Sequence, residues 1–150
     1  AIGRVVVSCS ALHQILSIGA FSLAVNDSRP WEEDVRVGVL TTGMSTQTLV
    51  GAWRTLVSIH APDDADDFNK LADQIQKTFA HRDIFAHCIW GPGPKLGTAI
   101  PVMAKTVGRL RRTQEKHYTA DEIKQWAETA SEQAVRLLAY LLRWELAPLP

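Results

Sequence analysis

Apolar residues in the first part of the chain recur at helical spacing. Val5, Cys9, Leu12, Leu16 and Gly19 lie three or four positions apart, which predicts one apolar face of an α-helix. Residues 5–25 contain no charged side chain, as a membrane span would, but they include the polar residues Ser8, Ser10, His13, Gln14, Ser17 and Ser22. That polarity exceeds what a lipid-facing helix usually tolerates. We therefore expect a buried helix of a soluble bundle and no membrane contact.

Two further helices are predicted on either side of Pro62. Ser45 or Thr46 suits the N-cap of a helix that runs through His60, with apolar positions at Leu49, Trp53, Leu56 and Val57. Pro62 and the acidic residues after it suit the first turn of the next helix, because negative charge faces the positive end of the helix dipole there. Residues 31–43 fit either a short helix or an ordered loop.

The helix after Pro62 has a long apolar seam that ends at a glycine- and proline-rich turn. Its positions, at alternating steps of three and four, are Phe68, Leu71, Ile75, Phe79, Arg82, Ala86 and Ile89. This spacing predicts that Arg82 lies on the packed face, where a guanidinium group needs an anion or an interface. The Gly-Pro-Gly-Pro run at residues 91–94 is expected to end the helix.

The remaining sequence predicts a hairpin and then a last long helix. Residues 99–106 and 109–118 fit two strands around a turn at Val107 and Gly108. Thr119 and Glu122 form a capping box for a helix that Pro148 ends, and its seam is Ile123, Ala127, Ala130, Ala134, Leu137, Leu141 and Trp144. These elements predict an all-α fold, an antiparallel bundle of four to five helices with a β-hairpin between the last two long helices.

Length and composition are those of one globular domain. A chain of 150 residues that is 46% hydrophobic forms a core for a single domain over residues 1–150. Sixteen basic and sixteen acidic residues give a formal net charge of zero, so the overall charge does not require a nucleic acid or an acidic membrane as partner. The charges are nevertheless separated, since residues 27–73 hold nine acids and four bases, whereas residues 95–117 hold six bases and one acid.

The two cysteines, Cys9 and Cys88, stand singly in apolar runs without C-x-x-C spacing. This usage is typical of buried thiols in a reducing compartment, so we expect a cytoplasmic protein without a disulfide. The chain has no internal repeat, no low-complexity tract and no glycine-rich phosphate loop, and we expect no cofactor.

Side chains of catalytic type gather near the predicted end of the helix that follows Pro62. They are Arg82, Asp83 and His87. Asp83 and His87 are one helical turn apart, so the carboxylate is placed to orient the imidazole. A structural network at the helix end, with His87 near the negative pole of the dipole, would account for the same residues.

The run from Arg82 to His87 is followed by Trp90, a Gly/Pro turn, a hairpin and the sequence Tyr118-Thr119-Ala120-Asp121-Glu122, and this arrangement resembles the HEPN superfamily. The resemblance implies a helical bundle that dimerises. In many members it also implies a metal-independent ribonuclease with four to six residues between an Arg and a His, and a polar residue after the Arg. By similarity, Arg82 and His87 take the catalytic places and Asp83 the polar place. The likeness covers the second half of the chain, and the first half only as compatible helices.

The same Arg-to-His spacing occurs twice more in the chain. Five residues separate Arg54 from His60, and four separate Arg112 from His117. A threonine, not an acid, follows each of these arginines, His117 lies in a predicted strand, and His60 is not followed by the Trp and the Gly/Pro turn. Context therefore favours the pair at residues 82 and 87.

Cleavage of RNA without a metal needs a base for the ribose 2′-hydroxyl, an acid for the leaving 5′-oxygen and a cation beside the phosphorane. One motif supplies one histidine, and a two-fold dimer supplies two. We therefore expect a homodimeric endoribonuclease without a metal, in which His87 is acid or base, Arg82 stabilises the transition state and Asp83 orients His87. The basic residues expected to bind RNA are Lys105, Arg109, Arg111, Arg112 and Lys116.

A non-catalytic helical dimerisation module is the alternative hypothesis. The same residues would then hold an interface, and the protein would serve a partner such as an antitoxin or a larger defence complex. The basic hairpin would be a solvated strand face. A metal site is not expected, because His81, Asp83, His87 and Cys88 do not converge at the angular steps of a helix.

Overall fold

A computed structural model of the protein describes residues 1–25, 43–105, 109–112 and 117–145, in places the backbone alone. These ranges contain four α-helices, α1 (Ile2–Val25), α2 (Thr46–His60), α3 (Ala65–His87) and α4 (Ala120–Glu145), and a 3₁₀ turn at Pro62–Asp64. The predicted all-α bundle is confirmed. Most of the segment 31–43, the hairpin turn, Lys116 and Pro148 lie outside the described residues.

Local capping signals start two of the helices at the predicted positions. Ser45 is the N-cap of α2, and its Oγ accepts a hydrogen bond of 3.1 Å from the backbone N–H of Thr48. At the start of α4, the N–H of Glu122 donates to Thr119 Oγ1 at 3.1 Å, and the N–H of Thr119 donates to Glu122 Oε2 at 2.7 Å. This reciprocal pair is the predicted capping box.

Contacts along the helices define their directions. In α3 and α4, His81 stacks on Trp126 at one end while Phe68 meets Tyr140 at the other, so these helices are antiparallel. Helix α3 is likewise antiparallel to α2, to which the short 3₁₀ turn joins it. Helix α1 runs in the same direction as α4, because Ser8 bonds to Ser131 and, further along both helices, Gly19 lies beside Leu141.

The core lies where all four helices meet. The predicted apolar face of α1 is buried, with Val5, Cys9, Leu12 and Leu16 fully inaccessible. Trp53 of α2 stacks on Phe68 of α3 with ring centroids 5.4 Å apart. By length and composition alone, Ile2–Leu23 of α1 could also cross a bilayer, and among the described helices it alone passes that test. Its buried face packs on the other helices.

A small antiparallel sheet connects α3 to α4. Its strands are β1 (Ile89–Pro92), β2 (Thr98–Lys105), β3 (Arg109–Arg112) and β4 (Tyr118–Thr119), and β2 is central. The predicted hairpin is confirmed by the pairing of β2 with β3. Its second arm, predicted as one strand over residues 109–118, is divided into β3 and β4, which pair with successive parts of β2. Strand β1 was not predicted, because its short sequence contains Gly91 and Pro92.

The predicted seam of α3 is correct in its first half and wrong in its second. Phe68, Leu71 and Ile75 are buried, but the buried positions then continue at Thr78 and Phe85. Ala86 is exposed, and Ile89 is an exposed residue of β1, beyond the end of the helix. Arg82 is correspondingly half-buried, not packed in the core. The change arises because the sheet covers the Phe85 side of the last turns, and a periodic pattern on one helix does not contain that information.

Candidate active site at the end of α3

Aromatic packing holds the end of α3 in place. Phe85 is buried against Trp90 of β1 and Tyr118 of β4, with ring centroids 5.8 and 5.2 Å apart. The indole N–H of Trp90 also donates to the Phe85 carbonyl at 3.2 Å. The helix ends at His87 because Cys88 adopts an extended backbone that leads into β1. The last two turns of α3, which carry the motif residues, are therefore anchored by the sheet.

Arg82 and Asp83 form an ion pair on the first of these two turns. The Nη1 of Arg82 lies 2.9 Å from Asp83 Oδ1. The Arg82 side chain is 31% exposed and that of Asp83 is 61% exposed, so solvent screens the pair and its contribution to stability is small. Its consequence is geometric, because the carboxylate engages one donor of the guanidinium and leaves others to contact an anion.

A cavity of about 680 Å³ lies beside this pair, between α1, the start of α2 and α3. The polar and charged residues that line it include Ser10, His13, Thr46, Gln47, Arg82 and Asp83. Five of these six can donate a hydrogen bond, and Asp83 supplies the carboxylate. Because Asp83 already contacts Arg82, the described wall of the cavity is better suited to an anion than to a cation.

His13 is a site residue that the sequence pattern did not identify. It lies on α1, and its Nδ1 is 3.3 Å from Thr46 Oγ1 at the start of α2. Burial, followed by the positive charge of Arg82, lowers the pKa of His13 below its ordinary value of 6.5. The ring is therefore neutral at neutral pH and can accept a proton. On the sequence alone, His13 was one polar residue of an otherwise apolar helix, and only the approach of α2 and α3 gives it partners.

The N-terminus of α2 adds backbone donors to the same cavity. The N–H groups of Thr48 and Leu49 bond to the side chain and carbonyl of Ser45. No acceptor for the N–H groups of Thr46 and Gln47 is found among the described residues. A helix start carries partial positive charge, so its first turn is suited to a neighbouring anion.

His87 lies apart from this cavity. It is exposed in the last turn of α3, and no hydrogen bond to its ring comes from the described part of the chain. The Asp83 carboxylate, expected to orient His87, contacts Arg82. The five positions from Arg82 to His87 rotate the helix by about 500°, which leaves the two side chains roughly 140° apart. Within one protomer, the fold thus brings Arg82 and Asp83 together with His13, and leaves His87 separate.

The expected RNA-binding residues lie on the hairpin, where the backbone is described for four of the five. Lys105 is paired with Arg109, and Arg111 is opposite Met103, while Arg112 is opposite Val102. This register brings four basic positions within two adjacent strands. Lys116 lies outside the described residues.

The two other Arg-to-His spacings have different surroundings. Arg54 donates to Asp73 on α3 at 2.7 Å, and His60 is exposed at the end of α2. Arg112 ends β3, and His117 precedes β4. Arg54 is not among the described residues that line the cavity at the start of α2.

Both cysteines are buried free thiols, as the sequence predicted. Burial raises the pKa of the Cys9 thiol to about 11, so it stays protonated beside the cavity at neutral pH. In the described ranges, no group of three or more His, Cys, Asp or Glu residues is placed to hold a metal ion.

Comparisons with models of protein families, with curated proteins and with solved structures found no match to the chain. The resemblance to the HEPN superfamily therefore rests on the quoted sequence features, and function must be argued from the site.

Proposed function

We propose that the protein is a metal-independent endoribonuclease of HEPN-like type that acts as a homodimer. The observation that carries this proposal is the position of Arg82. Its half-buried guanidinium is held by Asp83 at the edge of a cavity rich in hydrogen-bond donors, with His87 on the next turn, at the end of α3. An Arg with free donors in such a cavity is suited to bind a phosphoryl group.

The geometry of the turn favours a site shared by two chains. Because Arg82 and His87 project roughly 140° apart, one protomer cannot direct both at the same phosphate. A two-fold axis near this turn would place His87 of one protomer opposite Arg82 of the other, and would do so twice. The exposure of His87 leaves its ring available for such an arrangement.

In the proposed reaction, the ribose 2′-oxygen attacks the adjacent phosphorus and the bond to the 5′-oxygen breaks. Arg82 stabilises the negative charge on the phosphoryl oxygens, and His87 serves as general acid or base. Asp83 positions the guanidinium. The products are a 2′,3′-cyclic phosphate and a free 5′-hydroxyl, and the basic residues of the hairpin contact the RNA backbone.

The test is cleavage of labelled RNA in excess EDTA by wild type and by His87→Ala. The proposal expects the wild type to produce 2′,3′-cyclic phosphate ends and the variant to produce none. His60→Ala is a matched control, since His60 is also exposed at the end of a helix and follows an Arg at similar spacing. Absence of cleavage by folded, dimeric wild-type protein on a mixed pool of RNA would contradict the proposal.

A second candidate function is a non-catalytic dimerisation or partner-binding module. It is favoured by an apolar surface on α4, where Val135, Leu138 and Leu142 are 66%, 44% and 58% exposed at helical spacing. If this is the function, Leu138→Glu abolishes self-association in analytical ultracentrifugation, and no RNA is cut at any protein concentration. If the wild-type protein cleaves RNA, dimerisation or partner binding cannot be its whole function.

A further inference from the structure

A single HEPN-like motif contains one histidine, so one of the two proton-transfer steps has no catalytic group within the motif of the same chain. His87 supplies one imidazole, but in-line cleavage needs both an acceptor for the 2′-hydroxyl proton and a donor for the 5′-oxygen. The second imidazole near the motif is His13, which lines the same cavity as Arg82 although it lies 69 positions earlier in the chain.

We propose that the cavity between α1, α2 and α3 holds the scissile phosphate, and that His13 is the group that accepts the 2′-hydroxyl proton. This proposal rests on the proposed ribonuclease function and adds a catalytic residue to it. Arg82 and His13 then act on the same phosphodiester within one protomer. His87 of a second protomer is left with the role of acid.

The surroundings of His13 fit this role. Thr46 Oγ1 is within hydrogen-bond distance of Nδ1, so it can accept from an Nδ1–H and leave Nε2 with its lone pair free. The ring also meets the edge of Phe79, at a centroid distance of 6.1 Å, which restricts its orientation. Thr46 is thus a positioning residue, comparable in purpose to the group that orients the histidine in other acid–base sites.

The donors for the phosphate come from two helices. Arg82 on α3 provides the positive charge, and the N–H groups of Thr46 and Gln47, for which the described residues supply no acceptor, lie at the start of α2. Helix α1 contributes the base, because the Nδ1–H of His13 is directed to Thr46 and its Nε2 accepts a proton. A phosphodiester is the anion that matches this set, because its two free oxygens can accept from both sides of the cavity at once.

The proton and bond changes balance without another reactant. The Nε2 of His13 takes the proton of the 2′-hydroxyl, and the 2′-oxygen forms a bond to phosphorus. The bond between phosphorus and the 5′-oxygen breaks, and that oxygen takes a proton from the protonated His87 of the second protomer. Hydrolysis is not required, and water exchanges the two imidazole protons before the next turnover.

The charge environment keeps His13 in the accepting form. Among the described residues, the charged groups that line the cavity beside it are Arg82 and Asp83 from α3, and the residues at the start of α2 are uncharged. Cys9, one turn earlier on α1, is neutral because its pKa is about 11. Burial and Arg82 together hold the pKa of His13 below its ordinary value, so the base is unprotonated at neutral pH.

The test compares His13→Asn with His60→Asn in steady-state RNA cleavage over a range of pH. Asparagine keeps a polar group near Thr46 and removes the titrating ring. We expect kcat to fall on the order of 100-fold in His13→Asn, and the acid limb of the pH profile to disappear. His60→Asn should keep both the wild-type rate and the wild-type profile. Circular dichroism melting shows whether each variant is folded.

A second variant keeps the proposal testable if His13→Asn does not fold. Thr46→Val removes the hydroxyl and preserves size, and we expect kcat to fall on the order of tenfold with KM unchanged, because the imidazole loses its orienting partner. If folded His13→Asn or Thr46→Val cleaves RNA with the same kcat as the wild type, the proposed role of His13 is wrong and the ribonuclease function still stands. No cleavage by the wild type would overturn the ribonuclease function and this inference together.

Discussion

The indole N–H of Trp53 donates a hydrogen bond of 2.7 Å to the backbone carbonyl of Leu16, in the centre of the bundle. Both residues are fully buried. The bond joins α2 to α1 across 37 positions of sequence, and the Trp53 ring stacks on Phe68 of α3 on its other side. One side chain thus links three helices, and the same three helices form the cavity around His13.

Gly19 of α1 also lies beside this indole and leaves no room for a side chain, so replacement by alanine should destabilise the protein. A Cβ at residue 19 would lie 2.8 Å from Trp53 Cη2 and 2.9 Å from Leu141 Cδ1. We expect Gly19→Ala to reduce the free energy of unfolding by about 1–3 kcal/mol, because an extra methyl group overpacks the core. Urea denaturation monitored by tryptophan fluorescence measures the change.

Gly51→Ala is the matched control for this prediction. Gly51 also lies in a helix, but a Cβ there meets nothing within 4 Å. The alanine should raise the free energy of unfolding by about 0.5–1 kcal/mol through helix propensity and reduced freedom of the unfolded chain. Equal effects at the two positions would show that Trp53 does not limit the space at Gly19.

Arg82→Lys tests whether the guanidinium itself is needed in the proposed site. Lysine keeps the charge but cannot make the bidentate contact, so we expect kcat for RNA cleavage to fall on the order of 10- to 100-fold. Arg54→Lys is the control, since Arg54 is similarly exposed at 35% but pairs with Asp73 away from the cavity. A similar loss in both variants would point to a general effect of arginine replacement on folding.

The raised pKa of Cys9 predicts a loss of stability in alkaline solution. Its folded value of about 11 lies above the ordinary value of 9.0, so the folded protein keeps a proton that the unfolded chain releases. The contribution of this thiol to stability is complete below pH 9 and declines as the pH rises from 9 to 11. Urea denaturation at about pH 8 and about pH 10.5 should therefore show a smaller alkaline loss in Cys9→Ala than in wild type. An identical loss in both proteins would show that other groups cause it.

The basic hairpin predicts RNA binding that depends strongly on salt. Replacing Lys105, Arg109 and Arg111 by alanine should weaken binding and reduce the slope of log Kd against log salt by about 0.7 for each phosphate that the protein no longer neutralises. Fluorescence anisotropy with single-stranded RNA measures this. Lys70→Ala, Lys77→Ala and Lys124→Ala in combination provide a control that removes the same charge from the helices. Equal slopes in the two triple variants would show that the hairpin is no RNA-binding surface.

Local signals explain why much of the bundle was predictable. The starts of α2 and α4 follow from side chains that bond within three residues, Ser45 to Thr48 and Thr119 to Glu122. The predicted apolar seam of α4 was also correct. Its positions from Ile123 to Leu141 are buried, because they face the same core along the helix. Strand β1 and the division between β3 and β4 escaped prediction, since short pairings depend on a partner strand and not on the strand's own sequence.

The candidate site was predictable only in part, for the same reason. Arg82 and Asp83 were identified from adjacent positions on one helix, and the structure places them together. The predicted contact between Asp83 and His87 competes with an ion pair between Asp83 and Arg82, and the structure shows the ion pair. His13 carried no local signal at all, because its partners are Thr46, Phe79 and Arg82 from two other helices.

Periodicity, capping and spacing act within a few residues of the chain, so the helices, their caps, the hairpin and a motif of Arg82, Asp83 and His87 could be predicted from the sequence. Which side chains share a cavity depended on how the helices pack. The packing of α1 against α2 and α3 brings His13 to Arg82, and the sheet covers Phe85, which lies between Arg82 and His87 in sequence. Such long-range contacts follow from how whole faces pack, which no local pattern specifies.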